Sequence, residues 1–125
     1  MKDKRILLIE DNLDIQVFVR GVARLEGAQL RGVITGEDGL AVLKQDANFD
    51  LVLLDLNLPG MSGWDVLTVL EETPPAWPAR PPIVIFTAAF NEATLDQAQT
   101  RGAAGVITKP ISALDLVARI NSFLE

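Results

Sequence analysis

Four short apolar runs in this chain each end on a residue able to do polar chemistry. Ile6-Leu7-Leu8-Ile9 leads into Glu10-Asp11-Asn12, and Leu51-Val52-Leu53-Leu54 leads into Asp55. Ile83-Val84-Ile85-Phe86 ends at Thr87, and Gly105-Val106-Ile107-Thr108 ends at Lys109. Short apolar runs bounded by turn residues read as strands buried on both faces. In open parallel sheets, ligands bind beyond the carboxyl ends of such strands. Capping explains each of these polar residues singly, but not four of them at one edge. Glu10, Asp11 and Asp55 would crowd three carboxylates together. Two unit charges ~4 Å apart repel by about 4 kcal/mol at an effective dielectric of ~20, so the cluster needs protons or a cation. Oxygen donors favour a hard ion, and a site with room for phosphate oxygens and waters suits Mg²⁺. Lys109 adds a fixed positive charge. A carboxylate beside a divalent ion and an ammonium can attack phosphorus, because its own charge and that of the phosphoryl oxygens are both offset. Thr87 can donate its hydroxyl to one of those oxygens. The chemistry these residues point to is an aspartyl-phosphate on Asp55.

The elements that must position them alternate strand and helix five times. The first helix shows Ile15, Phe18, Val19, Val22 and Leu25 as an apolar stripe and closes at Gly27. Gln29–Ile34 is a more polar strand, expected at a sheet edge. Thr35 caps a second helix with Glu37 and Asp38 in its first turn, where acids suit the helix dipole, and Leu40, Val42 and Leu43 face the core. Pro59, Gly60 and Gly63 force a turn after Asp55, and Trp64, Val66, Leu67 and Leu70 mark a third helix. Residues 73–82 hold five prolines and read as a stiff, extended connector. Asn91 caps a fourth helix ending near Gly102, with only Leu95 and Ala98 as its apolar stripe. Ser112 and Asp115 open a fifth helix carrying Leu116, Val117, Ile120 and Phe123. Strands joined through helices run parallel, so the expected fold is a doubly wound α/β sheet of (βα)5 form in one domain, 1–125.

Composition removes whole classes of function. The chain has no histidine and no cysteine, which excludes a His-based triad, an imidazole base, thiol catalysis and a thiolate metal site. A formal net charge of −6 makes it a poor direct binder of nucleic acid. No apolar run reaches the ~20 residues that cross a bilayer and no signal-peptide pattern opens the chain, so a cytoplasmic address is expected. The Met1-Lys2-Asp3-Lys4 start reads as a natural N-terminus, and Glu125 falls where a linker would begin.

Along essentially its whole length the chain resembles the response-regulator receiver domains of two-component signalling. The resemblance rests on Glu10-Asp11 after strand one, Asp55 followed by Leu58-Pro59-Gly60-Met61-Ser62-Gly63, Thr87-Ala88 after strand four and Lys109-Pro110 after strand five. It implies the flavodoxin-like strand order 2-1-3-4-5. It also implies Mg²⁺ held by the carboxylates of Asp11 and Asp55 and the backbone carbonyl of Asn57, with Glu10 acting directly or through water. Lys109 would pair with the acceptor or its phosphate, and the peptide before Pro110 would be cis. The implied donor is a sensor histidine kinase or phosphotransfer protein, and the implied output face is helix four, strand five and helix five. Receivers usually carry an aromatic where this chain has Val106. A valine has few rotamers, so output through that face would need backbone or helix movement in place of a ring rotation.

Three other readings compete. A receiver-like scaffold working without phosphorylation lacks a use for so complete a site. A Mg²⁺-dependent phosphatase would want an acid where Asn57 stands, and a flavodoxin would want a Ser/Thr-rich phosphate loop after strand one. The domain is thus expected to be a signalling module and no enzyme beyond its own phosphoryl transfer and dephosphorylation.

Overall fold

The computed structural model describes residues 1–46, 48–72, 81–88 and 90–124. In chain order these form β1 (Arg5–Ile9), α1 (Leu13–Leu25), β2 (Gln29–Val33), α2 (Gly36–Gln45), β3 (Leu51–Leu54), α3 (Gly63–Glu72), β4 (Ile83–Thr87), α4 (Glu92–Thr100), β5 (Gly105–Thr108) and α5 (Ala113–Leu124). All four strand pairings are parallel and the order is β2-β1-β3-β4-β5. Both the fold class and the strand order match the sequence reading. The prolines of residues 73–80 lie outside the described residues. The chain re-enters the sheet at Pro82, whose carbonyl accepts from Val52 N at 2.9 Å.

Strand periodicity of two divides the apolar residues between two cores, which is why the central strands carry no polar face. Leu7, Ile9, Val52, Leu54, Ile83, Ile85 and Val106 face one side, where α2, α3 and α4 supply Val42, Leu43, Val66, Leu67, Leu70 and Ala98. Ile6, Leu8, Leu51, Leu53, Val84, Phe86 and Ile107 face the other, against Val19 and Val22 of α1 and Leu116 and Ile120 of α5. β2 is an edge strand and is only partly buried, as its polar sequence predicts.

The caps fall where the short polar side chains stand. Asn12 accepts from Ile15 N, Thr35 from Asp38 N, and Asn91 and Thr94 form a reciprocal capping box. Ser112 accepts from Asp115 N at 3.1 Å. Gly27 and Gly102 follow α1 and α4 with φ of +76° and +86°, a backbone that favours glycine.

One part of the expected α1 stripe needs correction. Leu25 is 86% exposed and Phe18 36%, while Gln16, Val19, Val22 and Ala23 are buried. The fully buried row therefore begins on a polar residue, Gln16, one position past Ile15, which is only partly buried. Leu25 falls on the far side of the helix, two residues (about 200°) round from Ala23.

Candidate functional site

The carboxyl ends of β1, β3, β4 and β5 bring Glu10, Asp55, Thr87 and Lys109 to one edge of the sheet. Glu10 and Asp55 are tied to neighbouring strands: Glu10 N donates to Val33 O and Asp55 N to Ile9 O, each at 3.0 Å. Lys109 N donates to Thr87 O at 2.9 Å, fixing the start of the β5–α5 loop against β4. The Lys109–Pro110 peptide is cis, as the resemblance implies.

The side chains converge. Carboxylate oxygens of Glu10, Asp11 and Asp55 all lie within 4.8 Å of one another. Lys109 Nζ stands between two of the acids, 2.5 Å from Glu10 Oε1 and 3.4 Å from Asp55 Oδ2. It also lies 5.2 Å from the centre of the Phe86 ring, a cation–π contact beneath the ammonium. The second oxygen of each buried acid meets a backbone donor: Asn12 N reaches Glu10 Oε2 at 3.2 Å and Asn57 N reaches Asp55 Oδ1 at 3.3 Å. Glu10 and Asp55 are 1% and 5% exposed, whereas Asp11 and Asn57 stand at the surface. The cluster is thus buried at its base and open to ions at its rim. Thr87 is fully buried at the end of β4.

Burial dominates the electrostatics of Glu10 and lifts its carboxyl above the usual range. The Lys109 hydrogen bond opposes that shift, and the charge of Asp55 adds to it.

The loop after β3 explains its glycines. Gly60 has φ of +71°, in the left-handed region. Gly63 N donates to Leu56 O at 3.0 Å, and a Cβ added at Gly63 would lie 2.3 Å from Asp55 O and 2.7 Å from Leu56 Cα. Those atoms are backbone and cannot swing away. Gly63→Ala is therefore expected to cost about 3 kcal/mol in denaturant unfolding and to displace Asp55. A cost under about 0.5 kcal/mol would show that the β3–α3 junction yields freely.

The sequence reading missed Gln16. Its side-chain amide is buried and donates from Nε2 to Glu10 O at 2.9 Å and to Val33 O at 3.0 Å. The signal available was a glutamine at i−3 from Val19 and i−7 from Ala23, on the core face of α1. Trp64 lies beside Asn57 in a recess shared with Asn91, Thr94 and Gln97, and the Arg101 guanidinium sits 5.4 Å over its ring.

A doubly wound parallel sheet with three carboxylates and a lysine at its carboxyl edge defines an α/β protein whose polar cluster lies where such sheets bind ligands. The family model of the response regulator receiver domain matches residues 6–121, and the chain belongs to that family. Among curated relatives, it is 32% identical over 121 residues to the transcriptional regulatory protein HprR of Escherichia coli, covering 97% of this chain and 52% of HprR. It is 35% identical over 120 residues to the sensory transduction protein RegX3 of Mycobacterium tuberculosis, covering 96% and 50%. The cell cycle transcriptional regulator CtrA of Caulobacter vibrioides is 34% identical over 121 residues, covering 97% and 50%. The chain spans about half the length of these relatives. Among solved structures, a CheY-like response regulator receiver domain protein from Methanospirillum hungatei superposes with a TM-score of 0.84 at 26% identity, covering 98% of this chain and 94% of that one. The BeF3-activated DrrB receiver domain gives 0.79 at 25%, covering 98% and 97%. The chain is therefore a receiver domain of the two-component response-regulator type. No helix among the described residues is long and apolar enough to cross a membrane.

Proposed function

We propose that this chain, one receiver unit over residues 1–125, accepts a phosphoryl group on Asp55 from the phosphohistidine of a sensor histidine kinase or a phosphotransfer protein. The observation that carries this reading is the position of Lys109 Nζ between Glu10 and Asp55, with Asp11 completing the acid cluster at an open rim. An Asp55 carboxylate oxygen forms the new P–O bond as the donor's P–N bond breaks, and that bond's electron pair leaves with the imidazole nitrogen. Lys109 offsets charge on the acceptor and then on the phosphoryl oxygens, and the Thr87 hydroxyl donates to one of them.

The donor set fits Mg²⁺: all oxygen, strongly acidic, and exposed on the side of Asp11 and Asn57. Asp11 and Asp55 would hold the ion through carboxylates, Asn57 through its backbone carbonyl, and Glu10 directly or through water. When bound, Mg²⁺ supplies positive charge that offsets the acids and the phosphoryl oxygens. Catalysis is confined to the domain's own phosphoryl group. The setting is the cytoplasm, and the output partner meets the face formed by α4, β5 and α5. Val106 is 8% exposed and belongs to the same buried cluster as Ala98 of α4, so a change at the site is read out by movement of α4. That helix buries only Thr94 and Ala98 among its described residues.

Labelling with acetyl phosphate tests this reading. With Mg²⁺ the intact mass is expected to rise by one phosphoryl group, and the label should be cleaved by hydroxylamine as an acyl phosphate is. No label under these conditions would overturn it.

A second result is expected from pH. The Glu10 carboxyl holds its proton more tightly in the folded chain than in the unfolded one. In ion-free protein, the stability it contributes is fully present below its ordinary value of 4.5 and is lost as pH rises through the higher folded value. Mg²⁺ competes with that proton. The rise in melting temperature caused by millimolar Mg²⁺, measured against chelator, should be small in acid and grow across that window. A melting temperature indifferent to Mg²⁺ at neutral pH would contradict the proposed ion site.

A further inference from the structure

We propose that Gln16 is a positioning residue for the acid cluster, acting through the backbone of Glu10; this rests on the Mg²⁺ reading of the site. Glu10 is the first residue beyond β1, and the direction of its side chain and of the next residue, Asp11, depends on how its peptide is held. One tie comes from the sheet, where Glu10 N donates to Val33 O at 3.0 Å. The second comes from α1, where Gln16 Nε2 uses one hydrogen on Glu10 O at 2.9 Å and the other on Val33 O at 3.0 Å. Both neighbours are carbonyl oxygens, so the nitrogen of the amide must be the atom that faces them. The ends of β1 and β2 are thereby clamped to the first turn and a half of α1. The clamp is buried, with Gln16 only 7% exposed, so water does not readily replace it.

The neighbouring strand leaves space for this amide. A Cβ added at Gly32 would lie 1.9 Å from Gln16 Oε1 and 2.8 Å from its amide carbon. β2 therefore carries a glycine opposite the glutamine, although glycine weakens a strand. Helix propensity gives no reason for a buried amide on α1, where the rest of the described buried row is Val19, Val22 and Ala23. Gln16 touches neither Asp55 nor Lys109 in any described hydrogen bond. Its effect reaches the chemistry only through the placement of Glu10 and Asp11. Groups that hold and orient ligand residues in this way characteristically change metal affinity by 10–100-fold when lost.

The experiment compares the Mg²⁺ dissociation constant, read from Trp64 emission or Mg²⁺-dependent melting shifts, with the melting temperature of the ion-free protein. Gln16→Met keeps the length of the side chain but cannot donate. Gly32→Ala pushes the amide aside while leaving Gln16 in place. Val22→Ala opens a hole in the same face of α1 away from the clamp. Gln16→Met and Gly32→Ala are expected to weaken Mg²⁺ binding on the order of tenfold. Val22→Ala is expected to lower the melting temperature while leaving the dissociation constant within about twofold, inside the additivity error of distant sites. Should Gln16→Met fail to fold, Gly32→Ala alone decides. Wild-type affinity in the clamp variants, or an equal loss of affinity in Val22→Ala, would overturn the positioning role. Failure of the wild type itself to bind Mg²⁺ would overturn the site reading.

Discussion

Asp55→Asn is expected to abolish labelling by acetyl phosphate and the response to beryllofluoride, while the protein remains folded. The substitution is nearly isosteric. The amide oxygen can still accept the hydrogen bond that Asn57 N makes to Asp55 Oδ1, and β3 still ends where Gly63 packs on its backbone. What disappears is the anionic oxygen, and an amide cannot form the acyl phosphate. The loss of label should therefore be complete. Stability should not fall with it. Asp55 adds to the burial of Glu10 in raising that carboxyl's affinity for a proton, so removing its charge relieves repulsion inside the cluster. The ion-free variant should melt at or above the wild-type temperature and gain less from Mg²⁺. Equal labelling of the two proteins would place the acceptor elsewhere and end the proposal.

The residues that would do this chemistry were legible because each lies at or just beyond the end of a short, mainly apolar strand. A two-sided apolar strand such as Leu51–Leu54 can only be central, and a charge at its end can only lie at the sheet's edge. Strand order followed from family resemblance. The division of the apolar residues into two cores follows from strand alternation once both faces are covered.

What stayed hidden was the support beneath the site. Gln16 carries no charge, no motif and no apolar signal, and its partners are backbone carbonyls that sequence cannot display. Leu25 misled for the converse reason: an apolar side chain at helical spacing can stand in solvent, since folded surfaces carry much apolar area. The exit from β3 was legible as a turn from Pro59, Gly60 and Gly63. The need for glycine at 63 came only from the backbone of Asp55 and Leu56 against it. Side chains announce chemistry, while the backbone that holds them is visible only in three dimensions.

Lys109→Met is expected to damage both stability and reactivity, and the two losses should separate with Mg²⁺ and with pH. Methionine keeps the unbranched stem over the Phe86 ring and removes the ammonium. Glu10, 1% exposed, then loses its ion-pair partner and keeps the repulsion of Asp55. Removing one partner of a buried pair typically costs 3–5 kcal/mol, because a charge is left without compensation. In ion-free protein at neutral pH, unfolding free energy should therefore fall by about 3 kcal/mol. The Lys109 hydrogen bond is what pulls the Glu10 carboxyl down, so its loss moves that group further above the ordinary value. Protonation then relieves the variant over a wider range. The deficit should shrink as pH falls through the folded value and nearly vanish below 4.5, where the acid is neutral in both states. Mg²⁺ should recover part of the stability at neutral pH, because it brings positive charge to the same oxygens. It should not recover the rate. Lys109 is tied to β4 through its own N–H on Thr87 O, and its ammonium is a charge separate from the one the ion would supply. Losing one such preorganised charge typically slows transfer by 10²–10³-fold. Labelling by acetyl phosphate at saturating Mg²⁺ should thus slow by about 10²-fold in a protein whose melting temperature is largely restored. A variant that labels at the wild-type rate would leave Lys109 a structural counter-ion only and remove it from the proposed chemistry.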